Sequence, residues 1–260
     1  MIRIALAFAV AFGVAGAAAA FGPASDFANA TAYQDGWIEG DDGGIGWNPT
    51  YPWNFNPNLA PFAIESSTSN GDGDSNGDGD IDTDGKAFKL VALNASVGYA
   101  ERYLYPVPLL VGERVSFDFD AVGSGATYYA SCSLIEYDGP AAQQRWAFHV
   151  AGDQTNYAML DSAGLNSIGI PITDEGVHVE FDLTGANSYT AHVTPLGGAA
   201  VERSGTLASS GDISSFVCAI GGGGAGSYAA YFNSVVVPEP GALASALIAV
   251  AALAVIGRHA

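Results

Sequence analysis

Apolar and polar residues alternate with a period of two along much of this chain, which is the pattern of β-strands with one buried face. The clearest instance lies between residues 177 and 194, where two alternating runs flank a turn at Gly185-Ala186-Asn187. This unit predicts a β-hairpin. Further runs bounded by turn residues predict strands at 87–93, 99–104, 115–120, 127–136, 145–150, 156–160, 214–220 and 228–236.

The register of the hairpin follows from its alternation, because a slip of one residue would turn every apolar side chain toward water. Keeping apolar residues opposite each other predicts the pairs Leu183–Tyr189, Phe181–Ala191 and Val179–Val193. The polar pairs on the other face are then Asp182–Thr190, Glu180–His192 and His178–Thr194.

The fold class follows from the number of such strands. Roughly ten strands, each with one apolar and one polar face, form two packed antiparallel sheets. No segment between the two ends of the chain has the pattern of a long helix. We therefore expect an all-β sandwich, flanked by an N-terminal signal peptide and a single C-terminal transmembrane helix.

The N-terminus has the layout of a secretory signal peptide. Arg3 is followed by an almost unbroken apolar run at 4–14 and by small residues ending at Ala20. This run is too short, and wrongly flanked, for an ordinary membrane anchor. We expect cleavage near Ala20; the alternative is a buried N-terminal helix.

The last 24 residues have a second, distinct pattern. Two prolines break regular structure and would hold Glu239 in an extended conformation. The apolar run that follows, 241–256, is slightly shorter than the roughly 20 residues needed to cross a bilayer. A basic residue after it favours the cytoplasmic side. The residues that form this signal are Val237, Pro238, Glu239, Pro240 and Arg258.

This tail resembles the PEP-CTERM sorting signal of Gram-negative bacteria. The resemblance implies recognition by an exosortase, a membrane cysteine transpeptidase that cuts near the motif, in proteins that accompany exopolysaccharide and biofilm formation. The alternative is a plain C-terminal anchor. The expected organisation is a signal peptide at 1–20, a sandwich domain at 21–235 and the sorting signal with its transmembrane helix at 236–260.

The middle of the chain is similar to the jelly-roll, concanavalin-like sandwiches found beside such tags. The segments that carry this similarity are Gly36-Trp37, Gly40, Gly43-Gly44, Gly46, Asp84–Phe88, Leu110–Glu113 and Tyr231–Asn233.

The net charge of the chain limits the classes of partner that it is expected to bind. The chain has 27 acidic and 8 basic residues, for a net charge of −19. Nucleic acids and anionic lipid headgroups need a basic patch, so neither is expected as a partner.

Two cysteines, Cys132 and Cys218, each lie in an apolar, strand-like stretch. Export would permit a disulfide between them. Two separate buried thiols are the alternative. Neither has a neighbour in sequence that would activate it for catalysis.

An acidic run at 70–85 has oxygen-bearing residues at alternate positions; counted from Asp74, Gly79 is sixth and Ile81 is eighth. This spacing is typical of calcium loops of the EF-hand type, and the run resembles dockerin-like loops. Gly85 stands at position twelve, where a bidentate carboxylate belongs. The candidate ligands are Asp74, Asn76, Asp78, Asp80, Asp82 and Asp84, and the alternative is a solvated acidic loop without calcium.

Two further groups of residues are candidate sites. Glu180 and Asp182 share one strand face and resemble part of the Glu-x-Asp-x-x-Glu motif of laminarinase-type glycosidases, but Gly185 replaces the second glutamate. Loop tryptophans could stack on sugar rings, or cap the core. They are Trp37, Trp47 and Trp53.

These patterns together predict an exported, non-enzymatic protein of the cell envelope, outer surface or extracellular matrix of a Gram-negative bacterium. Its expected partners are an exosortase, extracellular polysaccharide and, before processing, the membrane. A carbohydrate-binding module is the alternative, and a glycoside hydrolase ranks third.

Overall fold

The computed structural model describes residues 24–47, 50–56, 62–67, 81–93, 97–104, 108–121, 128–138, 141–173, 175–222 and 227–237. The predicted signal peptide and transmembrane run lie outside these ranges. Within them, no helix is long and apolar enough to span a membrane. A 3-10 turn occupies Thr31–Tyr33.

The described residues form fifteen strands. They are β1 (Ala24–Asp26), β2 (Asn54–Phe55), β3 (Ala63–Glu65), β4 (Ala87–Leu93), β5 (Val97–Tyr103), β6 (Arg114–Ala121), β7 (Tyr128–Asp138), β8 (Ala141–Ala151), β9 (Asn156–Asp161), β10 (Gly164–Pro171), β11 (Val177–Gly185), β12 (Ser188–Pro195), β13 (Val201–Thr206), β14 (Ile213–Gly222) and β15 (Ser227–Val237).

The strands form two antiparallel sheets that pack face to face. Sheet I has the order β13-β12-β11-β6-β15-β4-β3, and β1 pairs with the end of β15. Sheet II has the order β10-β9-β8-β7-β14-β5-β2. The predicted all-β, two-sheet sandwich is confirmed.

The predicted hairpin is β11 with β12, and all six predicted pairs are present. Gly185 still pairs with Ser188, so the turn that joins the two strands consists of Ala186 and Asn187. Each of the other predicted runs also coincides with a strand. The alternation missed five strands. Three are the short strands β1, β2 and β3. The other two are β10, which is interrupted by a register shift before Pro171, and β13, an edge strand with mostly exposed side chains.

The core fills the space between the inner faces of the two sheets. Phe117 and Phe232 come from sheet I, and Phe148 and Phe216 come from sheet II. Phe117 lies 5.2 Å from Phe216 and 6.5 Å from Phe148, measured between ring centroids. Aromatic side chains bury large apolar areas, so these contacts hold the two sheets together.

A buried polar cluster joins the two sheets near β1. Asp26 in β1 accepts hydrogen bonds from the Tyr33 hydroxyl at 2.8 Å and the Trp53 indole N–H at 2.9 Å. Arg102 of β5 lies 3.9 Å from the same carboxylate and pairs with Asp42. Burial raises the Asp26 pKa to about 6, although the nearby Arg102 charge acts to lower it.

Candidate functional site

The strongest cluster of titratable groups lies on the outer face of sheet I. Along β11 the residues Val177, Val179 and Phe181 point into the core, so the residues between them point outward. The pairing of β6, β11, β12 and β13 brings seven outward-facing side chains together. We call this surface the charged face; its residues are Arg114, Asp118, His178, Glu180, Asp182, His192 and Glu202.

Arg114 lies at the centre of the charged face and binds both carboxylates of β11. Its Nε and Nη2 atoms each donate to an Asp182 carboxylate oxygen at 2.8 Å. Its Nη1 atom donates to Glu180 Oε1. The hydrogen bond that Arg114 donates to Asp182 is the main cause of a raised Arg114 pKa. A bidentate pair of this kind fixes both partners in orientation as well as in charge.

His178 and Asp118 form a second pair beside Arg114. The His178 Nδ1 atom lies 2.6 Å from Asp118 Oδ1, across the β6–β11 pairing. This hydrogen bond raises the His178 pKa, against the opposing effect of partial burial. The folded protein therefore binds this proton more tightly than the unfolded chain does.

The His178 pair predicts a specific titration. The His178 pKa should lie above the usual value of about 6.5, so this pair stabilises the fold at acid pH and the contribution is lost as the pH rises through the raised pKa. Burial lowers the pKa of His149, which gives an internal reference. An NMR titration should show His178 titrating above His149. Asp118→Asn should lower the His178 pKa, and Asp153→Asn, at an exposed turn, should not. Equal effects of the two substitutions would contradict the assignment.

His192 lies between two carboxylates at longer range. Its Nε2 atom is 3.7 Å from Asp182 Oδ2, and its Nδ1 atom is 3.8 Å from Glu202 Oε2. Both distances exceed the usual range of hydrogen bonds. His192 therefore contributes charge to this surface when protonated, without fixing either carboxylate.

The end of the acidic run lies beside the charged face and is held by one asparagine. The Asn233 amide nitrogen donates toward Ile81 O, Thr83 Oγ1 and Lys86 O at 2.9 to 3.0 Å. Its carbonyl oxygen accepts from the Ala28 backbone N–H at 3.0 Å. Asn233 thus connects the start of the sandwich, the acidic run and β15.

The two candidate calcium ligands that the structure describes are engaged by protein donors. Asp82 accepts from Ser66 Oγ at 2.6 Å and Ser67 N at 2.9 Å, and Asp84 accepts from Asn29 at 2.7 Å. No metal-binding group of three or more His, Cys, Asp or Glu occurs among the described residues. Asp74, Asn76, Asp78 and Asp80 lie outside them, so calcium binding by the run stays a prediction.

The three candidate sugar-binding tryptophans lie in the core. Trp37, Trp47 and Trp53 are 2%, 8% and 1% exposed. Trp37 packs edge-on against Trp53, with ring centroids 5.3 Å apart, and the Arg102 guanidinium lies over Trp47. Burial of all three rings favours the alternative of core capping over sugar stacking.

Of the sorting motif, Val237 is described and is the last residue of β15, where it pairs with Ala24. Pro238, Glu239, Pro240 and Arg258 lie outside the described residues.

The two carboxylates that resemble part of the glycosidase motif share one binding partner. Glu180 and Asp182 are adjacent on the outer face, as the alternation predicts, and both bind Arg114. A side chain at Gly185 would meet Ser188 Oγ at 2.5 Å. Three residues of this surface were not predicted from the sequence: Arg114, Asp118 and Glu202. The alternation of β6 was a usable signal for the outward position of Asp118, but nothing local indicates that β6 pairs with β11.

Comparisons with known proteins identify the fold. No protein-family model matches the sequence, and no curated protein matches it either. Among solved structures, the carbohydrate esterase of the Shiga toxin-encoding bacteriophage phi24B is similar, with a TM-score of 0.52 and 15% identity over 82% of this chain and 98% of that one. At this identity the similarity concerns the sandwich fold alone.

Two glucanases are similar to this chain at lower TM-scores. A glycoside hydrolase family 16 endo-glucanase from Bacteroides ovatus has a TM-score of 0.49 and 10% identity over 82% of this chain and 98% of that one. A β-glucanase from Bacillus licheniformis has a TM-score of 0.45 and 14% identity over 72% of this chain and 94% of that one.

Proposed function

We propose that this chain is an exported, non-catalytic protein of the cell surface or extracellular matrix of a Gram-negative bacterium, and that an exosortase removes its C-terminal tag. One observation supports this most directly: β15 includes Val237, and Pro238-Glu239-Pro240 follow at once in the sequence. A cut after Val237 would leave all fifteen described strands in the product.

The charged face supports the non-catalytic part of the proposal. A glycosidase of the usual kind needs two carboxyl groups, one of which must give up a proton to the leaving group. Glu180 and Asp182 are both held in an ion pair by Arg114. The third position of the motif is Gly185, so this strand lacks the second glutamate of the glycosidase motif.

The proposed partner in the matrix is extracellular polysaccharide. The three tryptophans are buried, so contact with sugar would involve the hydroxyl-binding side chains of the outer surface. Arg114, His178 and Glu180 are partly exposed donors and acceptors on adjacent strands. The charged face is accordingly the surface that we assign to this contact.

The processing proposal predicts a defined C-terminus. Mass spectrometry of protein from the native cell envelope should show a chain that begins near Phe21 and ends near the sorting motif. Glu239→Gln, in the motif, should leave a chain that ends at Ala260. Glu202→Gln, an exposed carboxylate in β13, is the matched control and should be processed like the wild type. Native wild-type protein ending at Ala260 would contradict the proposal.

A further inference from the structure

Cys132 and Cys218 lie directly opposite each other in sheet II. Cys132 is in β7 and Cys218 is in β14, and the two are register partners in this antiparallel pair. Their Sγ atoms are 2.6 Å apart. Ordinary contacts between carbon atoms are ~3.5–4.0 Å, and sulfur is the larger atom, so the pair is far closer than two unbonded side chains in simple contact.

The backbone geometry at this position suits a covalent bond. Directly opposite residues in an antiparallel pair have Cα atoms roughly 4.5–5.5 Å apart. A disulfide requires a Cα separation of roughly 4.4–6.8 Å. Both side chains also point to the same face of the sheet, since opposite residues in register share a face. No movement of β7 or β14 is needed to join the two sulfurs.

We infer that Cys132 and Cys218 form a disulfide that links β7 to β14 in the centre of sheet II. The reaction needs a disulfide donor, either a low-molecular-weight disulfide such as oxidised glutathione or a disulfide-carrying oxidoreductase. One cysteine thiolate attacks the donor disulfide, forms a mixed disulfide and releases one donor thiol. The second cysteine attacks the mixed disulfide, forms the bond and releases the second donor thiol. Two electrons and two protons pass to the donor.

The position of the pair decides when this bond forms. Both cysteines are buried in the core, at 0% and 1% exposed, under the inner face of sheet I. Burial and the neighbouring Cys132 raise the Cys218 pKa, so little thiolate exists in the closed sandwich. Oxidation therefore takes place during folding, before the sheets close. Afterwards the same burial protects the bond from soluble thiols.

The bond would close a long loop. The two cysteines are separated by 86 positions in the chain, and a crosslink restricts the unfolded chain more as its loop grows longer. Strands β8 to β13 all lie inside this loop. The inference concerns a covalent link within the sandwich and does not depend on processing of the tail.

The test uses the full chain, unfolded, reduced and refolded in mild detergent with a mixture of oxidised and reduced glutathione. Free thiols are then blocked with an excess of alkylating reagent in denaturant near neutral pH, and the chain is digested with trypsin. Cys132 lies in peptide 115–145 and Cys218 in peptide 204–258. We expect these two peptides to be joined, without alkylation, in most chains. Two alkylated peptides, or links between identical cysteines of two chains, would overturn the inference.

A second measurement uses thermal unfolding. Wild-type chain refolded with the disulfide donor should melt roughly 10 °C above the same chain refolded with a reductant. The double variant Cys132→Ala/Cys218→Ala is the control, and its melting temperature should not depend on the donor. A donor-independent melting temperature in the wild type would overturn the inference, even if the variants fail to fold. Refolding in vitro involves no export. A negative result for the disulfide therefore says nothing about removal of the C-terminal tag.

Discussion

Replacing Arg102 with methionine is expected to lower the free energy of unfolding by about 3–5 kcal/mol, because the substitution leaves the buried Asp26 carboxylate without a cation. The Arg102 side chain is fully buried, as is that of Asp26, and it pairs with Asp42. Methionine preserves much of the packing against Trp47 and Trp53. For a domain of this size the melting temperature should fall by roughly 10 °C.

The Arg102 effect should depend on pH in a defined direction. The folded-state Asp26 pKa, about 6, is above its usual 3.8, so the folded protein binds the proton more tightly than the unfolded chain does. Stability from this group therefore rises as the pH falls from about 6 toward 3.8. Without Arg102 the Asp26 pKa rises further. The deficit of Arg102→Met should thus be largest near neutral pH and smaller at acid pH, where Asp26 is protonated.

Denaturant unfolding at several pH values measures both effects. Arg203→Met is the matched control, since Arg203 is exposed on the edge strand β13. It should change stability by no more than about 1 kcal/mol, through the loss of one hydrogen bond to Ile168 O. An Arg102→Met protein as stable as the control would show that the buried cluster contributes nothing to holding the sheets together. A deficit that grows on acidification would show that the cation acts on another group.

Replacing Trp37 with alanine is expected to lower the free energy of unfolding by about 3–5 kcal/mol, through a cavity in the core. Trp37 is 2% exposed and forms a group of rings with Trp53, Phe55, Phe88 and Phe232. Its centroid lies 4.7 Å from that of Phe88 and 4.8 Å from that of Phe55.

Phenylalanine at the same position should have a much smaller effect. The Trp37 indole N–H has no acceptor among the described residues, so Trp37→Phe removes a buried donor at little cost. Val111→Ala, at a residue that is 59% exposed, is the control for loss of apolar side chain at the surface. In urea unfolding, the free energy of unfolding of Trp37→Ala should be far below that of Trp37→Phe and of Val111→Ala. A Trp37→Ala protein of wild-type stability that loses sugar-dependent fluorescence quenching would instead restore the sugar-stacking hypothesis.

The amino-acid sequence by itself determined the local architecture of this protein. The β11–β12 register followed from alternation and one short turn, because both strands and their connection lie within residues 177–195. The outward position of Glu180 and Asp182 followed for the same reason. The prolines and apolar run of the tail are likewise contiguous, so the predicted sorting signal needs no knowledge of the fold.

Tertiary structure alone decided which distant residues meet. Arg114 binds Asp182 because β6 lies beside β11, and Cys132 faces Cys218 because β7 lies beside β14. Both pairings join strands that are far apart in the chain, and no local pattern encodes the order of strands in a sheet. The same holds for Trp37: its sequence context suits an exposed loop ring as well as a core ring. Whether other side chains cover a ring depends on packing, which only the folded chain supplies.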